Sequence, residues 1–463
     1  MYTVTQTVIN STSDLHGYCG GNALLACNLY NAALFRIRQV FTGYDKPART
    51  QNEKDVFDEV TLLEETYPSI RVKRVISYSH LEKLMRVTVN PDFYAGLPMQ
   101  TAQHVVKQAC TDFKNWLKAL RAFKSGPEKF TGRPKMPHYK KKQGFCTFTF
   151  TNQDAVLYPV KKDGVYSVMQ LKLPKTGKRL ILSGIPEDAV LKEAKVKPYY
   201  GRFLLCLTME TQDVTVDADM PYTAAVDFGV DNLAAIVCND GSSKIYKGGA
   251  VLSENQWSAK QKARYTGIIT KGHSRMHASS KRLDSLSFHH ANFNRDQMHK
   301  VSADIIRWCV SHRAGTLVLG VNRYWKQETA MGRVSSQNFV SIPLATLRAF
   351  ITYKAIRAGI TVVEQEESYT SKADITSMDY IPVYGKDDEK ACFSGSRVKR
   401  GLYKCANGLV INADCNGAAN IMRKAFPDVW KDVNDFSFLA LPEVSGFHEL
   451  NPLSIPVKGI AAA

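Results

Sequence analysis

Three acidic positions occupy places where carboxylates can do chemistry. Asp227 ends an apolar run, TAAVDFG, just before Gly229. Asp414 stands in INADCNGAANI, directly ahead of a helical pattern. Glu364, Glu366 and Glu367 crowd the end of a β-branched run, TVVEQEESYTSK. Each has an ordinary reading: a turn aspartate, a helix N-cap, a solvated strand end. Taken together, two strand ends and one helix start can converge on hard divalent cations. Two such ions about 3.5–4 Å apart can clamp the attacking and leaving oxygens of a phosphodiester. A nuclease sets acids of this kind within a cationic surface, because the metal offsets repulsion between carboxylate and substrate phosphate.

The charge balance supplies that surface. The 463 residues carry 61 Lys plus Arg against 43 Asp plus Glu, a net charge of +18. A polyanion is the favoured partner, since neutralised phosphates release counterions. An anionic membrane surface competes, but no polybasic amphipathic helix, lipidation motif or apolar run of spanning length supports it. Residues 101–200 hold 20 Lys plus Arg and only 7 Asp plus Glu. The densest stretch is KSGPEKFTGRPKMPHYKKK, residues 124–142. Its glycines and prolines forbid a regular helix, so Lys129, Arg133, Lys135, Lys140, Lys141 and Lys142 ride on an extended strap. Phe130 and Tyr139 interleave with them, which suits stacking on nucleotides. A solvated basic surface is the competing reading, and charge density places nucleic acid ahead.

The 10 cysteines are scattered, no two closer than eight positions, so no Cys-x-x-Cys knuckle exists. They read as reduced thiols in a cytoplasmic, cytosol-like compartment.

The elements that must position the acids follow from periodicity. A chain this long exceeds one core and divides into domains. Residues 2–10 read as a strand, and 14–125 as a helical domain with apolar residues at helical spacing. Residues 144–212 return to strand character in GFCTFTFTN, AVLYPVKKDGVYSVMQLKL, KRLILSG and RFLLCLTMET. A small β-barrel or sandwich is expected there, joined by the first strand. From 222 the pattern mixes α and β: three strands with turns between, then a polar helical region over 254–312. A strand (316–320), a helix (341–359) and another strand (360–367) follow. Irregular sequence runs to about 410, then a turn leads into a helix. The last thirty residues show little periodicity.

VDFGVDNLAA (226–235), ESYTSK (367–372) and INADCNGAANI (411–421) resemble the split RuvC motifs of the transposon-encoded TnpB (OrfB) family. That family is related to the compact type V CRISPR effectors and to Fanzor proteins. NLYNAALFRIRQ (28–39) and KFTGRPKMPHY (129–139) extend the likeness, which covers most of residues 20–425 in order. The resemblance implies an RNA-guided DNA endonuclease that uses two Mg²⁺ ions, with guide RNA and target double-stranded DNA as partners. Base pairing supplies the sequence specificity in such systems. It implies a multidomain α+β architecture: a first wedge strand (1–13), a helical recognition domain (14–125) and a β-barrel wedge (126–215). An RNase H-like RuvC α/β nuclease domain (216–430) and a tail (431–463) complete it. Asp227 matches the first RuvC aspartate and Asp414 the last.

Two departures are visible. The family's middle glutamate would stand at Gly320, at the end of GTLVLG, and glycine cannot bind metal. Some relatives carry an alternative glutamate on the next strand, where this chain has Glu366 and Glu367. Successive strand residues face opposite ways, so one of the two reaches the metals; Glu367 is favoured, with Glu366 beside it. Glu328 lies too far beyond its strand. The second departure is the zinc ribbon of many relatives: residues 376–410 contain only Cys392 and Cys405 and no histidine. Four soft ligands cannot be assembled, so a metal-free insert is expected. Its Arg397, Lys399 and Arg400 can meet DNA phosphates, with a solvated basic loop as the competing reading. Gly320 also motivates a nuclease-dead, RNA-guided DNA-binding repressor, and the basic patch alone a structural RNA-binding protein. Both a monomer and a homodimer stay open.

Overall fold

The structure is a computed structural model. It describes every residue except 1, 163–165, 183, 186–187, 212–218, 272–279, 323–341, 384, 386–388, 390 and 452–463. The architecture is mixed α and β, in two compact units, residues 1–212 and 213–463. Among the described residues no helix is long and apolar enough to cross a membrane.

The first unit opens with strand β1 (Tyr2–Ile9), followed by helices α1 (Asp14–Gly43), α2 (Gln51–Thr66), α3 (Tyr78–Val87) and α4 (Met99–Ser125). The helix starts are encoded locally. Ser13 and Ser77 cap α1 and α3, and Thr50 forms a reciprocal capping box with Glu53 at α2. Strands β2 (Phe148–Thr151), β3 (Val156–Lys162), β4 (Tyr166–Lys172), β5 (Arg179–Leu182), β6 (Val190–Tyr199) and β7 (Arg202–Glu210) complete it. The first strand does join the sheet, pairing antiparallel with β7 from Tyr2 opposite Glu210 to Ile9 opposite Phe203.

No barrel closes among the described residues. The strands form two open sheets, ordered β1-β7-β6-β2 and β3-β4-β5. Four strands are too few to curl into a barrel with a filled interior. Helices cover the sheet instead: one core contains Leu29, Leu34, Val106 and Phe113 of the helices together with Phe150, Val196 and Leu205 of the strands. The β6 strand is absent from the expected set because VLKEAKVKPY is rich in lysine; only Leu191, Ala194 and Val196 turn inward.

The basic strap has no regular structure beyond the single turn Pro127–Lys129. Lys129, Arg133, Lys135, Lys140, Lys141 and Lys142 are all exposed. Helices pin the strap from beneath. Trp116 Nε1 donates to the Pro134 carbonyl at 3.1 Å, and the Asn31 side chain bonds both Lys140 N (2.7 Å) and Lys140 O (3.1 Å). The two interleaved aromatics are partly engaged within the unit. Phe130 packs edge-on against Phe123, and the Arg38 guanidinium lies 4.8 Å from the Tyr139 ring centre.

The second unit is built on a six-stranded sheet. Its strands are β8 (Tyr222–Asp227), β9 (Asn232–Cys238), β10 (Ser242–Lys247), β11 (Ala314–Val321), β12 (Thr361–Glu366) and β16 (Glu443–Ser445), in the order β12-β11-β8-β9-β10-β16. The polar helical region divides into α5 (Gly249–Thr270) and α6 (Lys281–Ser311), and α7 (Leu344–Arg357) precedes β12. Strands β13 (Ser396–Lys399), β14 (Leu402–Lys404) and β15 (Val410–Asn412) make a separate small sheet before α8 (Ala413–Ala425).

Alternation along the strands splits the core in two. Ala224, Val226, Leu317 and Leu319 pack with α6 and α7 on one face. Ala225, Val318, Ala235 and Val237 pack with α8 on the other, joined by Trp430 and Phe436. The unassigned C-terminal stretch therefore contributes to this second core, and β16 adds a parallel edge beside β10.

In the first unit, Leu205→Ala should cost about 2–5 kcal/mol, because Leu205 is 0% exposed within the shared core. Tyr2→Ala, at a position 67% exposed on the same ladder, should cost about 0.5 kcal/mol or less. Denaturant midpoints of the two variants check this ordering.

Candidate active site

β8, β11 and β12 run parallel, so their carboxyl ends lie together along one edge of the sheet. Ligands of open α/β sheets bind outside such ends. Register brings Leu319 opposite Val226 and Gly320 opposite Gln365, which places Gly320 between the end of β8 and the end of β12. By alternation, Asp227 shares a face with Ala225, and Gly320 shares one with Val318. Both therefore look toward α8.

Close packing at this face depends on two glycines. A β-carbon at Gly417 of α8 would stand 2.6 Å from Asp227 Oδ2. A β-carbon at Gly320 would stand 2.7 Å from Glu367 Oε2 and 2.7 Å from Ile421 Cδ1. The space that a side chain at 320 would fill is thus taken by the Glu367 carboxylate, reaching back from just past β12. The two adjacent glutamates separate as period-two geometry requires. Glu366 turns to Lys424, whose Nζ donates to its Oε2 at 2.6 Å, and accepts from Ser368 N at 2.6 Å. Glu366 is paired at the C-terminal end of α8, and Glu367 lies over Gly320.

Asp414 sits in the first turn of α8, but it is not the cap. Asn412 is, its side chain accepting from Asp414 N and Cys415 N at 2.9 and 3.1 Å. The Asp414 carboxylate is left to face the strands, where Asn232 Nδ2 donates to Oδ2 at 2.6 Å. Arg397 on β13 brings its guanidinium to 3.7 Å from Asp414 Oδ1.

The acids feel one another. Burial pushes the Asp227 carboxyl well above the usual carboxylate range; the Glu367 and Asp414 charges push the same way, and Arg397 pulls against them. Burial also raises Glu367 to about 7, with Glu366 adding repulsion and Arg348 opposing it. Burial works to raise Glu366 too, yet its bonds from Lys424 and Ser368 hold it below its ordinary value. Among the described residues no three Asp, Glu, His or Cys side chains stand close enough to hold a metal ion as they lie. The carboxylates converge on one face while Arg397 and Asn232 engage Asp414.

The insert cations divide. Arg397 meets Asp414, Arg400 pairs with Asp231, and Lys399 is exposed. A cavity of about 540 Å³ opens beside Arg397, lined by Ser371, Lys372, Phe393, Gly395, Ser396 and Tyr403. His290 bonds Asn255 between α5 and α6 at 2.7 Å. Glu328 lies outside the described residues. Asn232 and Gly417 belong to the site without standing out in the sequence. The one signal for Asn232 is its place directly after the turn that follows Asp227.

Comparisons with known proteins find similarity in two successive segments of the chain. The profile of the OrfB_IS605 family, a probable transposase, matches residues 206–325. That of the Cas12f1-like TNB domain matches residues 345–421. A curated relative, the CRISPR-associated endodeoxyribonuclease Cas12f1 of Sulfoacidibacillus thermotolerans, is 28% identical over 175 residues, 38% of this chain. The match spans only 36% of that relative's length. Among solved structures, a Cas12f1–sgRNA–target DNA complex aligns over 88% of this chain and 82% of its own, at 14% identity and a TM-score of 0.47. A CRISPR–Cas12f ternary complex aligns over 88% and 81%, at 15% identity and a TM-score of 0.33. With a transposase-type segment followed by a Cas12f1-like segment in one chain, the protein is TnpB-like, similar both to transposon-encoded OrfB proteins and to the compact type V effectors.

Proposed function

We propose that the chain is an RNA-guided DNA endonuclease with a rearranged RuvC-type site formed by Asp227, Glu367 and Asp414. One observation carries this reading: the Glu367 carboxylate lies in the space that Gly320 leaves open, on the face that Asp227 and α8 share. A glutamate two strands from Asp227 thereby returns to the position that the intervening strand vacated. The dead-repressor reading has only Gly320 in its favour, and that space holds an acid.

Hard oxygen donors facing one side of the sheet suit a divalent cation, so Asp227, Glu367 and Asp414 would hold Mg²⁺. Bound there, Mg²⁺ would polarise the scissile phosphate and lower the pKa of the attacking water. Asn232 fixes the rotamer of Asp414. Lys424 keeps Glu366 turned away, so that the site carries three carboxylates rather than four. Arg397 balances the acidic charge beforehand and would meet the incoming phosphate, a charge-assisted contact that guanidinium geometry favours. Lys372 and Arg397 at the mouth of the adjacent cavity extend the same cationic path.

The strap residues Lys129, Arg133, Lys135, Tyr139, Lys140, Lys141 and Lys142 are proposed to contact the guide RNA backbone, and Lys399 and Arg400 the DNA. The strap cations are exposed and lie on a backbone that is already pinned. Little ordering entropy would be spent on binding.

Cleavage of a guide-matched duplex in Mg²⁺ tests the site. Asp227→Ala, Glu367→Ala and Asp414→Ala should each lower the rate by roughly a thousandfold or more. Glu366→Ala should lower it by about tenfold or less, in the range of an outer-shell change. Gly320→Ala should be nearly as damaging as loss of Glu367, because its methyl takes the carboxylate's place. Full cleavage by Glu367→Ala would remove Glu367 from the site.

A second measurement needs no nucleic acid. Glu367 has a folded-state pKa of about 7 against an ordinary 4.5. The folded chain therefore holds a proton that the unfolded chain has released between those values, and stability falls as pH rises through that window. Glu367→Gln should melt on the order of a few degrees above wild type at pH 8 and level with it near pH 4.5. Mg²⁺ at pH 8 should narrow the gap by stabilising wild type alone. Equal melting of the two proteins at pH 8 would refute the raised, buried state of the Glu367 carboxyl.

For the strap, replacing Lys140, Lys141 and Lys142 by Gln should weaken RNA binding and flatten its salt dependence. The log–log slope should fall by about 0.9 or less for each phosphate left without its lysine. An unchanged slope in a salt titration would contradict the assignment.

A further inference from the structure

The hairpin of β13 and β14 carries Arg397, yet it has little burial of its own to hold it. All four residues of β13 are exposed, and of β14 only Tyr403 is buried. What fixes it is polar. Asp374 is 0% exposed, and its Oδ1 accepts from Thr376 N at 2.9 Å and Thr376 Oγ1 at 2.8 Å. Its Oδ2 accepts from Ala406 N at 2.7 Å, and the Cys405 thiol lies beside the carboxylate. A second carboxylate, Asp379, accepts from Asp374 N and Ser394 N at 2.9 Å each, and from Ser394 Oγ at 2.7 Å. The two aspartates thus grip both ends of the hairpin, at Ser394 and at Ala406. Between them Gly395 lies so close that a β-carbon there would stand 2.9 Å from Asp374 Oδ2 and 2.6 Å from Tyr403 Cε1. The Tyr403 hydroxyl, in turn, donates to the Lys372 carbonyl at 2.7 Å.

The other side of this clamp is tied to α8. Asn416 and Asn420, both 0% exposed, donate to the Ala373 carbonyl at 2.8 and 2.7 Å, and Asn420 also to the Thr370 carbonyl at 3.0 Å. The connections close a circuit. It runs from the helix that carries Asp414, through residues 370–375, to Asp374 and Asp379, then along the hairpin to Arg397, and back to Asp414 at 3.7 Å. A buried carboxylate saturated with donors is directional and charge-assisted, as a structural metal would be.

We propose that Asp374, seconded by Asp379, is the positioning residue that sets Arg397 against Asp414, a carboxylate clamp in an insert whose two cysteines cannot assemble a metal site. Its catalytic consequence rests on the nuclease reading above; the clamp itself does not.

The test uses full-length protein in two arms. In the first, maleimide labelling of Cys405 is read by peptide mass, without nucleic acid. Wild type should keep Cys405 protected with or without EDTA and phenanthroline. Asp374→Ala should speed its labelling about tenfold or more, a factor that corresponds to about 1.4 kcal/mol of local opening. Cys238 and Cys309 should stay protected, which shows that the sheet core has not unfolded. Ser394→Ala, a gentler change, should act in the same direction. Unmasking of Cys405 by chelator alone, or its protection in Asp374→Ala, would overturn the clamp.

In the second arm, Asp374→Ala with guide RNA should bind matched DNA within about twofold of wild type but cut it some tenfold to a hundredfold more slowly, the scale expected for a misplaced group. Asp374→Asn, which keeps the acceptor Oδ1, should recover part of the rate. An unmasked Cys405 with unchanged cutting would overturn the positioning role. Absence of cutting by wild type would instead sink the nuclease reading, and the labelling result would decide the clamp by itself.

Discussion

The approach of α8 to the sheet is the constraint from which the rest of the site follows. An α-helix can lie against strand ends with carboxylates trapped between them only if something gives up its side chain. Here two positions do: Gly417 on the helix for Asp227, and Gly320 on the strand for Glu367. With both in place, the helix comes close enough for its first turn to present Asp414 to the same face. Apolar packing around them, with Ile421 and Met422 of the helix on Val318 and Ala225 of the strands, holds that distance. The acids can occupy this seam because the packing beneath them is tight and dry.

That arrangement is electrostatically unfavourable, and the surrounding residues are disposed to limit the damage. Burial, with neighbouring carboxylate charge behind it, pushes Asp227 and Glu367 toward the protonated form. A fourth, Glu366, would add to the repulsion, but Lys424 takes it out of the cluster with a 2.6 Å bond. Arg397 pairs with Asp414 at 3.7 Å, and its charge also opposes the rise at Asp227. Perturbed carboxylates beside a guanidinium mark a candidate functional site, which is the basis of the proposed nuclease reading.

Much of this is legible in the chain itself. The strands, their acid-bearing ends and the helix after INADC follow from period-two and period-3.6 patterning, whereas the parallel pairing of β8, β11 and β12 comes from the fold. The alternation rule correctly requires Glu366 and Glu367 to part company. Other features are not legible, for definite reasons. The β6 strand hides because alternate lysines mimic a solvated loop, and its inward positions number only a few. The barrel expected over 144–212 rests on strand count, whereas closure depends on which edges meet; here helices cover the sheet and the edges stay open. The capping role expected of Asp414 belongs to Asn412, two residues earlier, and local sequence cannot tell which of two neighbouring polar residues caps. Asn232, Gly417 and Asp374 act through contacts more than a hundred, or several tens, of residues away, and no local pattern marks them.

Gly320 shows how a missing residue can be read in two opposite ways. In the sequence it is a defect, the loss of an acid at a position where the family carries one. In the folded chain it is a requirement, because the Glu367 carboxylate and Ile421 already fill the space above it. Restoring a side chain at 320 while Glu367 remains would bring two groups into one space, so the two arrangements exclude each other sterically. An intermediate with both acids gains neither geometry. A chain that has moved its glutamate is therefore held to glycine at 320 by packing alone, independent of any selection on the chemistry. By the same logic, the glycine is informative only together with the acid on the neighbouring strand. On the proposed reading, a glycine at the old position without that acid marks loss of the site, and with it, relocation.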